Sequence, residues 1–132
     1  MTTFEETTHD IRIEVEPNFL EDESAPEENR YVWAYRITIE NKGSRAVQLI
    51  SRYWRITDAF GRIREVHGAG VVGEQPQIEP GNSYQYTSGA PLETPSGFMT
   101  GSYRMRALSG ESFEVGIPLF ALASPYESRQ VH

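Results

Sequence analysis

Cysteine is absent from all 132 residues of the chain, which excludes a disulfide framework, thiolate catalysis and every thiolate metal site. Long apolar runs are also missing, since no stretch approaches the ~20 consecutive apolar residues that a membrane helix needs. The N-terminus, Met1-Thr2-Thr3-Phe4-Glu5-Glu6, has neither the basic region nor the apolar region of a secretory signal. A cytoplasmic protein without a membrane partner is expected. Histidine is limited to His9, His67 and His132. Two of these lie near the ends and none shows the i, i+4 helical spacing of a zinc-type set, so no metal site and no cofactor are expected. There is no G-x-S-x-G elbow, and no acid or base has sequence neighbours that would move its pKa toward neutrality. The expectation is a protein that is not an enzyme.

What the chain does contain is charge, unevenly distributed. The net charge is −7, and this acidity argues against a nucleic-acid binder, which would show a basic excess. Residues 1–30 carry ten acidic groups against two basic, whereas residues 36–64 carry seven basic against two acidic. Eleven of the twelve basic residues are arginine, the side chain suited to bidentate contact with carboxylate or phosphate. The first reading is a solvated acidic stretch opposite a wet arginine face; the sharper one is a basic face for an anionic partner.

Periodicity points to strands throughout. Ile11, Ile13 and Val15 alternate with Arg12, Glu14 and Glu16, a half-buried strand expected to end at Pro17 after a mobile start. The acidic, proline-punctuated segment 21–29 reads as an exposed loop. Tyr31, Trp33, Tyr35, Ile37 and Ile39 share one face of the clearest strand, and Asn41-Lys42-Gly43-Ser44 turns it into the β-rich run Ala46 to Thr57. A shorter strand over 62–66 precedes a glycine-rich loop. Tyr84 and Tyr86 mark another strand, and Gly89 to Gly97 reads as a long irregular loop. Met99, Gly101, Tyr103 and Met105, then Phe113, Val115 and Ile117, complete the set. Seven to nine short strands with no helix predict an all-β antiparallel β-sandwich of the immunoglobulin or fibronectin type III kind. One domain is expected over residues 1–132, with its core at about 10–123.

The glycine-rich loop, Gly68-Ala69-Gly70-Val71-Val72-Gly73, matches the dinucleotide fingerprint G-x-G-x-x-G. In that fold the glycines open a helix whose free amides hold a pyrophosphate. Here Pro76 and Pro80 follow within seven residues and bar a helix. Two readings remain. Glycines permit positive φ and close packing where strands cross; alternatively, successive amides of a tight turn form an anion nest. In the second reading Gly68, Gly70 and Gly73, with Arg62, Arg64 and His67 just upstream, would hold a phosphate-containing small molecule.

Several segments together resemble the bacterial ApaG proteins: Arg30 to Tyr35, Gln48 to Trp54, Gly68 to Pro76, Tyr86 to Gly89 and Thr94 to Tyr103. The match spans roughly residues 10–123 in unbroken order. Ala69 stands where many members carry glutamate, so a cation role that needed that acid would be lost here. The resemblance implies a fibronectin type III or immunoglobulin-like sandwich with no catalytic reaction established, a neighbouring gene for a diadenosine tetraphosphate hydrolase, and a link to magnesium and cobalt efflux. In eukaryotes the domain occurs in F-box and DNA-polymerase-associated proteins as a binding module. The resulting expectation is a non-enzymatic interaction module docking an unidentified protein partner. Trp54, Gly89, Pro91, Thr94 and Pro95 are the candidate contact residues, with Trp54 an interface anchor if exposed. The acidic residues Glu21, Asp22, Glu23, Glu27 and Glu28 could attract magnesium through outer-sphere waters but lack the fixed oxygen geometry of a calcium loop, so a solvated loop is expected.

Overall fold

Alternation of apolar and polar residues creates strands with one face to hide, and two such sheets cover each other. The computed structural model describes residues 2–127. Nine strands run in chain order: β1 Phe4–Thr8, β2 Ile11–Phe19, β3 Tyr31–Asn41, β4 Val47–Asp58, β5 Ile63–Ala69, β6 Gln77–Ile78, β7 Ser83–Leu92, β8 Gly97–Ala107 and β9 Ser112–Leu122. They form two antiparallel sheets, one ordered β1-β2-β3-β7 and the other β5-β4-β8-β9, with β6 attached to β4. This is the expected all-β sandwich. Among the described residues no helix is long and apolar enough to cross a membrane.

β3 is built as its sequence dictates. Tyr31, Trp33, Tyr35, Ile37 and Ile39 all point into the core, where Trp33 is 1% exposed. The Trp33 indole N–H donates to the Ala123 carbonyl at 2.8 Å, which satisfies the one polar atom of the ring. Burying a ring of this size is worth several kcal/mol, since Trp→Ala changes in cores cost about 3–5 kcal/mol. Tyr35, Trp54 and Phe120 then pack ring against ring, with centroids 5.2–6.0 Å apart.

Simple alternation misses two changes of phase. In β4 the inward residues are Val47 and Leu49, then Trp54 and Ile56, because a bulge interrupts the pairing with β8 between Leu49 and Ser51. In β9 the inward set changes from Val115 and Ile117 to Phe120 and Leu122 across a second irregularity, opposite Met99 to Gly101. An extra residue in one strand turns every later side chain to the opposite face.

Three expectations about extents are corrected. The start is ordered: β1 pairs with β2 from Phe4 opposite Val15 to Thr8 opposite Ile11. Phe4 packs on Phe120, with centroids 6.2 Å apart, and Arg12 Nε donates to Glu5 at 2.6 Å. The strand that begins at Ile11 continues through Pro17, which lies opposite Tyr35. Because β1 stops opposite Val15, the side of β2 away from β3 is unpaired at Pro17, where a residue without an amide proton is tolerated. Gly89 to Leu92 are not loop but the second half of β7, with Pro91 opposite Val32. β7 is an edge strand, so the same argument admits Pro91, and only 93–96 remain as the connection.

The two long sides of the sandwich differ. On one, β9 lies against β1 and β2, and the Gly116 amide donates to the Thr8 hydroxyl at 3.3 Å. On the other, the edge strands β5 and β7 are not paired with each other, and two separate recesses open there.

Candidate functional site

Two recesses open on this side of the sandwich, one wide and one narrow. The wide recess is a groove of about 620 Å³ whose lining includes Arg30, Ile56, Arg62, Arg64, Pro91 and Leu92. Asp58 organises its floor. Its Oδ1 accepts the amides of Phe60 and Arg62 at 2.9 and 3.0 Å, and its Oδ2 accepts Arg62 Nε at 2.7 Å. Desolvation opposes the charge of Asp58, but these donors outweigh it and hold the carboxyl below its usual range. Arg62 also approaches Glu93 at 3.8 Å and lies 5.1 Å from the centre of the exposed Phe60 ring.

The narrow recess is a cavity of about 190 Å³ lined by Tyr35, Arg52, Trp54, Tyr86 and Ser88 beneath the turn Val71 to Gly73. Arg52 is two residues before Trp54 in β4, so its side chain is on the same core-facing side. Its Nη1 donates to the carbonyls of Ala69 and Gly70 at 3.1 and 2.9 Å. Among the described residues no carboxylate forms an ion pair with it. Below it the Tyr86 and Tyr103 hydroxyls are 2.5 Å apart. Burial pushes both phenols well above their ordinary pKa, and Tyr35 is raised for the same reason.

These contacts account for the glycine fingerprint. A Cβ on Gly68 would stand 2.6 Å from the Arg52 guanidinium, so the glycine makes room for that group. Gly70 has φ +60°, and a Cβ there would run into the Glu74 carbonyl. Val71 and Glu74 exchange two backbone bonds at 2.8 Å each. Between them Val72 and Gly73 have φ of 42° and 81°, the pattern of a two-residue type I′ hairpin turn. The loop docks on the β4 bulge: the Ile50 carbonyl accepts the Gly70 amide at 2.8 Å and the Gln75 side chain at 2.9 Å.

The structure does not assemble the phosphate set predicted from sequence. The amides of Gly70, Val71 and Glu74 are engaged by carbonyls, which breaks the run of successive free amides expected of the loop; Gly73 sits in the turn at φ 81°. Gly68 is a strand residue opposite Arg52. Arg64 is six residues from Gly70 along β5, roughly 20 Å at strand rise, and Arg62 is further and paired with Asp58. His67 lies against Tyr53 on the outer face, with ring centroids 4.9 Å apart. Tyr53 O–H there donates to Glu65 at 2.6 Å.

The predicted partner set divides. Gly89 and Pro91 are exposed on the outer side of β7, and Pro95 is half-buried. Trp54 is 3% exposed, its ring held by Tyr35 and Phe120, so it is core and not an exposed anchor. Thr94 is buried as well: its hydroxyl accepts the Ala59 amide at 3.1 Å and donates to Ser96 at 2.8 Å, tying two turns together. Among the described residues no group of three or more His, Asp or Glu could hold a metal ion; His132 lies outside them. The acidic segment forms two single turns of 3-10 helix, Glu21–Glu23 and Pro26–Glu28, with no buried residue.

Arg52, Tyr35, Tyr86 and Ser88 were not singled out by sequence. The available signal was the spacing Arg52, Trp54, Ile56, which puts a charge in an inward-facing series.

Comparison with known proteins agrees with this architecture. The family model described as the ApaG domain matches residues 21–107. Protein ApaG of Paramagnetospirillum magneticum is 54% identical over 129 residues, 98% of this chain and 99% of that protein. Protein ApaG of Maricaulis maris is 58% identical over the same shares. A crystal structure from Bordetella pertussis, named for ApaA, superposes with a TM-score of 0.86 at 46% identity, covering 88% of this chain and 94% of that one. The chain belongs to the ApaG family.

Proposed function

We propose that this protein is a non-enzymatic binding module that accepts an extended segment of a protein partner along the free edge of β7. The observation that carries this reading is the composition of that edge. β7 has ten residues, Ser-Tyr-Gln-Tyr-Thr-Ser-Gly-Ala-Pro-Leu, with no charge among them. An edge strand offers unpaired backbone groups to any passing strand, and proteins usually guard such edges with charged side chains, bulges or proline. The facing edge β5 is guarded in this way by Arg64 and Glu65, whereas β7 has only Pro91 near its end. Strand addition draws affinity from main-chain hydrogen bonds and specificity from neighbouring pockets. The groove of about 620 Å³ beside Pro91 and Leu92 supports that second element.

In this reading the turn at Val71 to Gly73 and the outward residues Gly89 and Pro91 border the contact surface. The module acts in the cytoplasm. Any part in magnesium or cobalt efflux is exerted through the partner and not by holding the cation. The test is affinity capture with the wild type, Thr87→Lys and Arg106→Gln, each first shown to melt at the same temperature. Thr87 is exposed on β7 and Arg106 is exposed on the outer face of the other sheet. A partner retained by the wild type and Arg106→Gln but lost by Thr87→Lys supports the reading. Equal retention by all three sinks it.

A further inference from the structure

We infer that the cavity under the Val71 to Gly73 turn is a binding site for a small oxyanion, a phosphate or carboxylate group, held by the Arg52 guanidinium and the Tyr86 hydroxyl. This inference does not rest on the β7 reading: Tyr86 and Ser88 belong to β7, but it uses their inward side chains and not the free backbone edge of that strand.

The first ground is an uncompensated charge. Arg52 projects from the core-facing side of β4, is only part-exposed, and has no carboxylate partner among the described residues. Among the described residues its Nη1 alone is hydrogen-bonded, donating to the Ala69 and Gly70 carbonyls. Arginine carries five N–H donors in a planar fork and stays charged at every working pH. Nε and Nη2 therefore keep donors that match a carboxylate or phosphate edge. Part of this cation is withdrawn from water, and an anion that meets its free donors offsets that cost.

The second ground is proton accounting between the two phenols. Each hydroxyl has one hydrogen to donate. Tyr103 is 0% exposed, and among the described residues its hydroxyl has Tyr86 as its single hydrogen-bond partner. Distance alone allows either direction; the one that leaves no buried hydrogen without an acceptor has Tyr103 donating and Tyr86 accepting. The Tyr86 hydrogen is then left over, and Tyr86 is the member of the pair that lines the cavity. Burial keeps both phenols protonated, which preserves this donor at physiological pH. Ser88 and Tyr35, opposite each other on β7 and β3, bring two more hydroxyl-bearing residues to the same wall.

The third ground is size. A cavity of about 190 Å³ has several times the roughly 30 Å³ share of a liquid water. One phosphate or carboxylate group fits it, and a whole nucleotide does not. Electrically, the only charged side chain in the lining among the described residues is cationic.

The test is a titration of the full chain with sodium phosphate and, separately, sodium acetate, against sodium chloride at matched ionic strength. It follows the amide resonances of Val71, Val72, Gly73 and Ser88. The expected result is saturable shifts with phosphate or acetate that chloride does not reproduce; which of the two saturates identifies the source of the oxyanion. Tyr86→Phe keeps the ring and should weaken binding about tenfold. Arg52→Gln should abolish it, and Arg106→Gln, on the outer face, should leave it unchanged. Because Arg52 also braces the turn, Tyr86→Phe is the variant that separates binding from folding. Shifts no larger than those with chloride, or equal saturation in wild type and Tyr86→Phe, would overturn the proposal.

Discussion

Replacing Val72 with asparagine should stabilise the protein, an unusual outcome for a change that removes an apolar side chain. Val72 sits at φ 42° in a two-residue turn closed by the Val71 and Glu74 bonds. For an L-residue the left-handed region costs about 1–2 kcal/mol, and branching at Cβ makes it worse. Asparagine is what type I′ turns prefer at this position. The apolar loss is small because Val72 is 56% exposed. A net gain of about 1 kcal/mol should raise Tm by roughly 3–5 °C in a chain of this size. Val72→Gly also relieves the strain but adds freedom to the unfolded chain, which takes back about 0.5–1 kcal/mol. The expected order of Tm is therefore Asn above Gly, with Gly near or slightly above Val. Thermal unfolding followed by circular dichroism, checked by urea midpoints at constant m, measures it. An asparagine variant melting at or below the wild-type temperature would refute the strain argument. Strain held in an exposed turn over a cavity is characteristic of functional surfaces, so stabilised Val72→Asn should also be tested for altered capture of partner.

Three further outcomes follow from the same contacts. Gly70→Ala meets both a positive φ and the Glu74 carbonyl, so urea unfolding should show a loss of about 2–4 kcal/mol. Trp54→Ala empties a core site between Tyr35 and Phe120 and should cost about 3–5 kcal/mol; an exposed anchor would cost almost nothing by the same measurement. Asp58→Asn bears on acid stability. The folded carboxyl lies below its ordinary value, so its contribution is fully present above the unfolded pKa of about 3.9 and is lost as pH falls through the lower folded value. Denaturation midpoints taken between neutrality and acid pH should therefore fall less steeply in Asp58→Asn than in the wild type.

How much of this was legible depends on whether a residue's role is local. β3 was readable face by face because Tyr31 to Ile39 alternate without interruption and both neighbours keep register with it. β1 was missed because Phe4 is its only apolar residue; pairing and the His9-Asp10 turn, both at positive φ, hold it in place. The second half of β7 was read as loop because glycine and proline normally punctuate strands, and only its position at an edge cancels that rule for Pro91. The bulge at Ile50 leaves no mark in composition, yet it receives the glycine loop and puts Arg52 in line with Trp54. The fingerprint letters were visible from the start. Closing the hairpin at Val71 and Glu74 is local, but making room for a guanidinium depends on Arg52, sixteen residues before Gly68 on the partner strand.

The proposed role of β7 is to receive a partner strand. Hydrogen exchange measured on the chain alone and with its captured partner tests it most directly. β7 bonds to β3 on one side only, so every second amide from Ser83 to Leu92 should exchange fast in the free protein and slow sharply in the complex, while β9 stays unchanged. Protection of the outer face of the β5-β4-β8-β9 sheet, with the free amides of β7 still exchanging fast, would contradict the account.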